Sequence, residues 1–478
     1  MITLIKFGTD GWRGLIAQDF TFENVALVAT AVARVIKRIQ PKDNLMIVGY
    51  DRRFLSADFA KTTAYIYAKE GFQVELTDNY VPTPALSWTV KNTPNCAGGT
   101  MITASHNPYD WNGFKFKEKF GGSASSGMTK LFEQEIEKME DFSHSQLFEN
   151  EFQIFCKKKK IVYRNFMEKY FDAVISFVDA ETIRKKNFHI GLDTMYGAGS
   201  SHYQKLLESL NVKFEALHSD ENPTFGHTPP EPVEKNLSEL SQLVREKKLA
   251  CGLATDGDAD RLGAMDEHGE AFTTQKILSV VYWHMLKHRK KPWSISRSAS
   301  TTRMVDLIAE KSGFQCTETP VGFKNIAQVM LQGKAQMGGE ESGGIGFVDH
   351  VIERDGLLTG ILLLEIMAVT GKTLSKIYAQ LCKDIRPYEF IRLDLVVQKE
   401  IMIRAMEKLS QDTPKEWMKK KVERLQTIDG FKFYLEDGSW LLIRPSGTEP
   451  LFRLYAEAES LNASQSLLDE ARDYVMNA

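Results

Sequence analysis

Short apolar runs alternate along this chain with longer stretches whose apolar residues recur on one helical side. Residues 44–50, NLMIVGY, read as a strand, residues 56–69 as an amphipathic helix, and residues 72–76 as the next strand. Similar units recur around residues 188–192, 249–254 and 293–295. Strands alternating with helices of this length predict α/β domains with mainly parallel sheets. The most apolar stretch, residues 357–370, is too short to span a bilayer and contains Glu365, so it predicts a buried core helix.

Breaks in the pattern suggest where domains meet. The segment GGSASSG, residues 121–127, reads as a flexible loop within the first domain. The lysine run at 157–160 marks either the exit from that domain or a solvated helix end. Residues 222–232, NPTFGHTPPEP, have loop composition, and Arg386-Pro387 reads as a hinge to a last domain that is shorter and more charged. No self-similarity recurs at the period of about 20–50 residues that marks repeat proteins.

Composition narrows the function classes. A chain of 478 residues exceeds one ordinary core and calls for three or four domains. Hydrophobic residues at 43% and charged residues at 26% are those of a soluble globular protein. A net charge of -3 gives no basic excess, so no nucleic-acid partner is expected. The five cysteines are scattered without a Cys-x-x-Cys pair, which fits a reducing, cytoplasmic setting and not a disulfide framework or a zinc ribbon. Residues 1–14 hold no long apolar run, so neither a secretory leader nor a membrane association is expected.

Four segments carry chemistry. In TASHNPYDWNGFKF, residues 103–116, an apolar run leads to Ser105 and Asn107-Pro108 then breaks the chain. Ser105 therefore falls at a strand end, where α/β folds place reactive groups. The Gly-x-Ser-x-Gly elbow of serine hydrolases is absent, and a serine that only caps its loop is the plainer alternative. In DGDADR, residues 256–261, three carboxylates at alternate positions can converge on one hard cation such as magnesium. A calcium loop of the EF-hand type is the rival, with Glu267 at its twelfth position, but its sixth position holds Arg261 where glycine is needed. A solvated acidic turn is the third reading. GGEESGG, residues 338–344, offers acceptors to sugar hydroxyls, or is a flexible acidic turn. RPSGTEP, residues 444–450, with Arg453 behind it, offers convergent donors to a phosphate, or is an ordinary turn. Together a hydroxyl nucleophile, a metal loop, a sugar loop and a phosphate cradle meet the needs of phosphoryl transfer, which are charge neutralisation and positioning.

These segments, in this order over the whole length, resemble the α-D-phosphohexomutases, the phosphoglucomutase and phosphomannomutase family. The opening FGTDGWRG, residues 7–14, is similar to the family's N-terminal signature, with Arg13 as its active-site arginine. TASHNP matches the phosphoserine loop at Ser105, and DGDADR the magnesium loop at Asp256, Asp258 and Asp260, with Arg261 beside it and a phosphoserine oxygen as a further ligand. GEESGG resembles the sugar-binding loop, with Glu340 and Ser342 at the hydroxyl-binding positions, and RPSGTEP the phosphate-binding loop at Arg444, Ser446, Gly447 and Thr448.

The resemblance implies three similar α/β domains and a smaller α+β C-terminal domain around one cleft, with boundaries expected at 1–158, 159–270, 271–386 and 387–478. It implies a magnesium ion and a cycle in which a phosphoserine donates to the sugar, and the glucose 1,6-bisphosphate so formed turns over and returns its other phosphate. The partner is then a small hexose phosphate, and the chain a monomer or homodimer. PVGFK, residues 320–324, stands where the family has a specificity loop, and Gly322, Phe323 and Lys324 resemble the phosphoglucomutase branch. Glu341 points the same way, because phosphoglucosamine mutases usually have glutamine there. Dual glucose and mannose activity, glucosamine specificity and a non-catalytic phosphosugar-binding protein are the alternatives. Some relatives have histidine where Gly344 stands, and others lysine where Arg354 stands, so Lys115 and His106 remain as acid–base candidates. Lys115 is the preferred one, with a pKa expected to fall toward working pH beside Arg13 and a divalent metal.

Overall fold

The computed structural model describes residues 5–139, 149–446 and 451–477, and these form four sheets. The first contains β1 (Trp12–Leu15), β2 (Leu45–Tyr50), β3 (Gln73–Thr77), β4 (Cys96–Ile102), β5 (Trp111–Lys117) and β6 (Ile161–Arg164) in the order β1-β5-β4-β2-β3-β6. The second contains β7 (His189–Asp193), β8 (Lys213–Leu217), β9 (Gly252–Thr255), β10 (Leu262–Met265) and β11 (Ala271–Phe272), ordered β11-β10-β9-β7-β8. The third contains β12 (Ile295–Ser298), β13 (Cys316–Thr319), β14 (Met337–Gly339) and β15 (Ile345–Phe347), ordered β13-β12-β14-β15.

One device recurs in these three sheets. Strands β2, β3, β4 and β6 run parallel, and β5 then returns antiparallel on β4. Likewise β10 returns on β9, and β15 on β14, each beside parallel neighbours. The three returning hairpins carry residues 103–110, 256–261 and 340–344, three of the four chemical segments. The repeat is one of topology, which accounts for its absence from the residue pattern.

The elements follow from the sequence locally. The helix Phe22–Ile39 starts where the Thr21 hydroxyl accepts the Asn24 N–H at 3.2 Å, and it ends on Lys37 and Arg38, suited to the negative end of the helix dipole. The helix Ser56–Lys69 has the bounds its periodicity predicts. Two expected boundaries move. The lysine run is the end of the helix Glu149–Lys157 and the turn into β6, which joins the first sheet, so that sheet extends past residue 158. Strand β11 closes the second sheet past residue 270. The segment 121–127 is not a free loop either. Gly121 to Ala124 are buried, and Ser123 donates to Asp10 and Glu353, both at 2.7 Å.

The fourth sheet comprises β16 (Glu389–Val396), β17 (Glu416–Trp417), β18 (Lys420–Gln426), β19 (Phe431–Leu435), β20 (Trp440–Pro445) and β21 (Leu451–Ala458), in the order β16-β21-β20-β19-β18-β17 with every pair antiparallel. Two helices, Lys399–Gln411 and Leu461–Met476, cover it over a core of its own that includes Leu409, Phe433, Leu441, Phe452 and Leu468. This is the α+β unit the sequence led us to expect.

The helix Gly356–Thr370 is buried almost throughout. The Asp355 carboxylate caps its start at Leu358 N, 2.9 Å, and Gly371 ends it at φ +66°. Its one charge, Glu365, accepts from His284 at 2.9 Å and from the Asp179 N–H at 3.0 Å. Among the described residues no single helix is long and apolar enough to cross a membrane. At Gly360 a Cβ would sit 1.8 Å from the Tyr203 hydroxyl, which is itself buried without a hydrogen-bond partner. Gly360→Ala should therefore lower stability by about 1–3 kcal/mol through overpacking, despite alanine's better helix propensity. Urea unfolding at equal slope measures it, and an unchanged midpoint would show that the helix shifts freely.

Candidate active site

Ser105 lies three residues beyond β4, in the left-handed region at φ +53°. A side chain there is strained and needs support from around it. The support is Arg53. Its Nη2 donates to the carbonyls of Ser105 at 2.7 Å and Asn107 at 2.6 Å, and its Nη1 to those of Pro108 at 2.7 Å and Trp111 at 3.1 Å. Asp51 balances the buried guanidinium at 3.3 Å. The Ser105 N–H donates to Thr103 Oγ1 at 2.9 Å, and Arg13 donates to the Asn107 side-chain oxygen. From the second domain, Gly257 backs the loop so closely that a Cβ would lie 2.4 Å from the Ser105 carbonyl oxygen.

The serine hydroxyl donates to Asp256 Oδ2 at 2.8 Å. Asp256, Asp258 and Asp260 are fully buried, and they can each turn an oxygen to within 4.8 Å of the others. This set fits a hard divalent cation on the chemistry present. Asp258 Oδ1 and both Asp260 oxygens are buried without accepting a hydrogen bond. Burial first, then mutual repulsion, pushes the Asp256 carboxyl well above its usual range, a strain that a cation would relieve. Arg261 donates its N–H to Asp256 Oδ1 at 3.1 Å and pairs with Glu231 at 3.3 Å. Glu267 turns away to accept from the Ser375 N–H at 3.3 Å, which removes the EF-hand reading.

Beneath this loop lies an ionic node that the motifs reveal only in part. Lys115 pairs with Asp10 at 2.8 Å, Asp258 at 2.8 Å and Asp260 at 3.6 Å. Arg354 pairs with Asp10 at 2.6 Å, Asp260 at 2.8 Å and Glu353 at 3.2 Å. Lys117 pairs with Glu353 at 2.6 Å. Asp10 sits inside FGTDGWRG, three residues before Arg13, and Lys117 is two residues along the strand from Lys115. Glu353 and Asp51 carry no sequence signal beyond being acidic.

The expected fall in the Lys115 pKa is not what the structure has. Burial alone would lower it, but Asp10, Asp258 and Asp260 together outweigh burial and raise it. His106 lies 3.4 Å from the Ser105 hydroxyl. Burial, reinforced by Arg261, Arg13 and Lys115, holds its pKa well below the ordinary value, so the ring is neutral.

A cleft of about 1500 Å³ opens above the node, lined by residues of all four domains. Arg13, His106 and Arg261 line it from the first two domains, the last two being next in the chain to the buried Ser105 and Asp260. Gly322, Phe323, Lys324, Glu340 and Ser342 line it from the third domain, and Arg444 and Arg453 from the fourth. Glu340 accepts the Gly322 N–H at 3.1 Å, and the Ser342 hydroxyl is buried without a partner. Burial, and secondarily Glu341, push the Glu340 carboxyl up to about 7 against the pull of Arg354. Arg444 and Arg453 face each other across β20 and β21. Ser446 is buried just after β20, and Gly447 and Thr448 lie outside the described residues.

A hydroxyl held against a carboxylate cluster, with arginines across a polar cleft, defines a phosphoryl-transfer site of the kind that phosphosugar mutases use. Family models bear this out. Phosphoglucomutase/phosphomannomutase alpha/beta/alpha domains I, II and III match residues 4–142, 168–269 and 273–385, and the C-terminal domain matches 395–473. The chain belongs to the phosphoglucomutase/phosphomannomutase family of phosphohexomutases, isomerases that act by phosphoryl transfer. It is 31% identical to a phosphoglucomutase/phosphomannomutase of Thermococcus kodakarensis over 97% of this chain and 96% of the relative. It is 29% identical to a phosphoglucosamine/phosphogalactosamine mutase of Sulfurisphaera tokodaii over 98% of each. A solved structure from Thermus thermophilus that carries the name phosphomannomutase superposes at a TM-score of 0.85, with 32% identity and 100% of each chain covered.

Two outcomes follow from this geometry. Arg53→Lys keeps the charge beside Asp51 but cannot reach four carbonyls, so turnover should fall by about 100-fold through displacement of Ser105. Steady-state kcat beside a thermal melt checks it, and near wild-type kcat would show that the loop holds without the guanidinium. Glu340 has a raised folded pKa, so its stability contribution is present below the unfolded value and is lost as pH rises through about 7. Glu340→Gln should therefore gain in melting temperature relative to wild type between about pH 5 and pH 8, and a constant difference across that range contradicts the burial argument.

Proposed function

We propose that this phosphohexomutase is a magnesium-dependent phosphoglucomutase that interconverts glucose 1-phosphate and glucose 6-phosphate through a phosphorylated Ser105. One observation carries the reading: Ser105 Oγ bonds one of three clustered aspartates beside a cleft that is also lined by Arg444 and Arg453 of the fourth domain. That arrangement suits a substrate with a phosphate at each end. Asp256, Asp258 and Asp260 would hold the magnesium, which when bound supplies charge neutralisation at the phosphoryl group.

The chain's own residues divide the work. Phosphoserine 105 gives its phosphoryl group to a sugar hydroxyl: the new bond is sugar oxygen to phosphorus, and the bond broken is phosphorus to Ser105 Oγ. The hydroxyl proton must leave and the serine oxygen must regain one. The glucose 1,6-bisphosphate so formed turns over, and its other phosphate returns to Ser105. Arg444, Arg453, Ser446, Gly447 and Thr448 hold the phosphate that is not reacting. Glu340 and Ser342 take the sugar hydroxyls, and the Ser342 hydroxyl is already free of protein partners. Arg13 and Arg261 offset charge at the reacting phosphate. Lys115 reaches the metal-site carboxylates at 2.8 Å and is our candidate for proton transfer once a cation shares those carboxylates. Neutral His106 beside the serine hydroxyl is the alternative.

Glucose is favoured over glucosamine because Glu341 stands where phosphoglucosamine mutases usually have glutamine; one of its oxygens accepts from Ser300 at 2.7 Å. The relative named for amino-sugar phosphates keeps that substrate as the second reading. Comparing kcat/KM for glucose, mannose and glucosamine 1-phosphates tests the choice, and we expect glucose 1-phosphate to lead by about tenfold or more. Ser105→Ala should fold and lose nearly all turnover, with phosphate found by mass spectrometry on the wild-type peptide holding Ser105. Full activity with that peptide unmodified would overturn the mechanism.

A further inference from the structure

The turn between β18 and β19 carries Asp429, which lies outside the residues assigned to the reaction. Its Oδ2 accepts the Val321 N–H at 2.8 Å, and its Oδ1 accepts the Arg444 Nε–H at 2.8 Å. Val321 and Arg444 both line the cleft, one from the third domain and one from the fourth. The next amide, Gly322 N–H, donates to Glu340 at 3.1 Å. A continuous chain of bonds therefore runs from Arg444 through Asp429 and residues 321–322 to the glutamate on the sugar side.

We propose that Asp429 is a positioning residue that couples the phosphate end of the cleft to its sugar end. The proposal rests on the hexose-phosphate reading above and adds to it that seating the distal phosphate and reading the sugar are one event. Arginine offers donors on more than one edge. With Nε given to Asp429, the two terminal nitrogens of Arg444 make no hydrogen bond to the described residues and can serve an anion in the cleft, and the guanidinium plane is fixed before one arrives.

The turn itself cannot drift. Gly430 is at φ +89°, and a Cβ there would lie 2.5 Å from the Ile443 carbonyl oxygen and 2.9 Å from Arg444 Cα. Asp429 is thus packed onto the strand that presents Arg444. Other polar bonds between the third and fourth domains serve a different end. Lys432 reaches Glu318 at 2.9 Å and the Ala299 carbonyl at 2.5 Å, Tyr434 reaches Glu318 at 2.5 Å, and the Arg303 N–H reaches Glu457 at 2.8 Å. None of these residues lines the cleft. They hold the domains together, whereas Asp429 joins two cleft walls.

The test compares wild type, Asp429→Ala and Asp429→Asn on glucose, mannose and glucosamine 1-phosphates, in steady state and by titration calorimetry. We expect Asp429→Ala to raise KM for the preferred sugar phosphate by about tenfold and to narrow its kcat/KM lead over the other two by about threefold or more. Asp429→Asn keeps an acceptor for Val321 but gives up the charge on Arg444, so it should raise KM by about threefold or more while keeping more of the discrimination. A raised KM with unchanged discrimination in Asp429→Ala overturns the coupling, and so does no change in either. Should Asp429→Ala fail to fold, an unchanged KM in Asp429→Asn overturns it. A wild type that prefers another sugar defeats the glucose assignment only, because Asp429 is scored on whichever sugar leads. Where turnover is absent, the ratios of calorimetric affinities decide the same question.

Discussion

Buried charge at the meeting point of three domains is the constraint on which the rest depends. Lys115 from the first domain is held by Asp258 and Asp260 of the second, and Arg354 from the third reaches Asp10 of the first and Asp260 of the second. All of these side chains are buried except Asp10, which keeps about a tenth of its surface at the cleft. An unpaired buried charge is costly, and breaking such a pair leaves the partner stranded. No one of the three domains can satisfy its own loop. Within their own domain the aspartates have Arg261 at 3.9 and 4.0 Å, and their closer cations, Lys115 and Arg354, come from the other two. Domain placement and site assembly are therefore one event, and the returning hairpin in each sheet brings its charges to the common point.

The fourth domain stands outside this node. It has its own core and meets the third through polar bonds around Arg297, Glu318 and Lys432. Burial, then Arg297, bring the Lys432 ammonium down to about 8 against the support of Glu318, so even this contact is balanced closely. Ala299 of the third domain also packs into an apolar cluster with Tyr434, Trp440, Leu442 and Tyr455 of the fourth, so the contact mixes polar and apolar burial. The ionic node thus draws on three domains, while the fourth adds Arg444 and Arg453 to the cleft.

Much of this was legible in the residues. The α/β alternation, the helix of residues 56–69 and the buried helix near 357–370 follow from periodicity, because apolar burial sets both. Ser105, Asp256, Asp258 and Asp260 were legible because their chemistry requires short local spacing. What escaped was non-local. Arg53 lies 52 residues from the carbonyl of Ser105 that it holds, and no pattern within DRRFLS says where its guanidinium points. Strand β6 was lost to the first domain because a lysine run resembles an exit, while strand pairing is decided by the partner edge. For Lys115 the motifs point to Arg13 and a cation but give no sign of the three carboxylates from two domains that surround it and, by themselves, raise its pKa.

The corner of the cleft at Gly344 shows how packing constrains the proton chemistry. A Cβ at residue 344 would lie 2.2 Å from Arg354 Cδ and 2.5 Å from its Cγ. No real Cβ tolerates that distance, so a side chain at 344 and Arg354 in its present place exclude each other. A histidine there would displace the arginine, and with it the ion pairs to Asp10 and Asp260. With Arg354 kept, the four surrounding carboxylates, Asp260 foremost, outweigh burial and hold its guanidinium protonated far beyond any working pH. Neither residue 344 nor residue 354 can pass a proton, and the titratable neighbour on this side is Glu340, whose carboxyl is raised to about 7. The other titratable groups stand at the same node: His106 lies beside the serine hydroxyl, and Lys115 shares Asp10 and Asp260 with Arg354. The absence of a proton carrier at both residue 344 and residue 354 is thus a single packing choice.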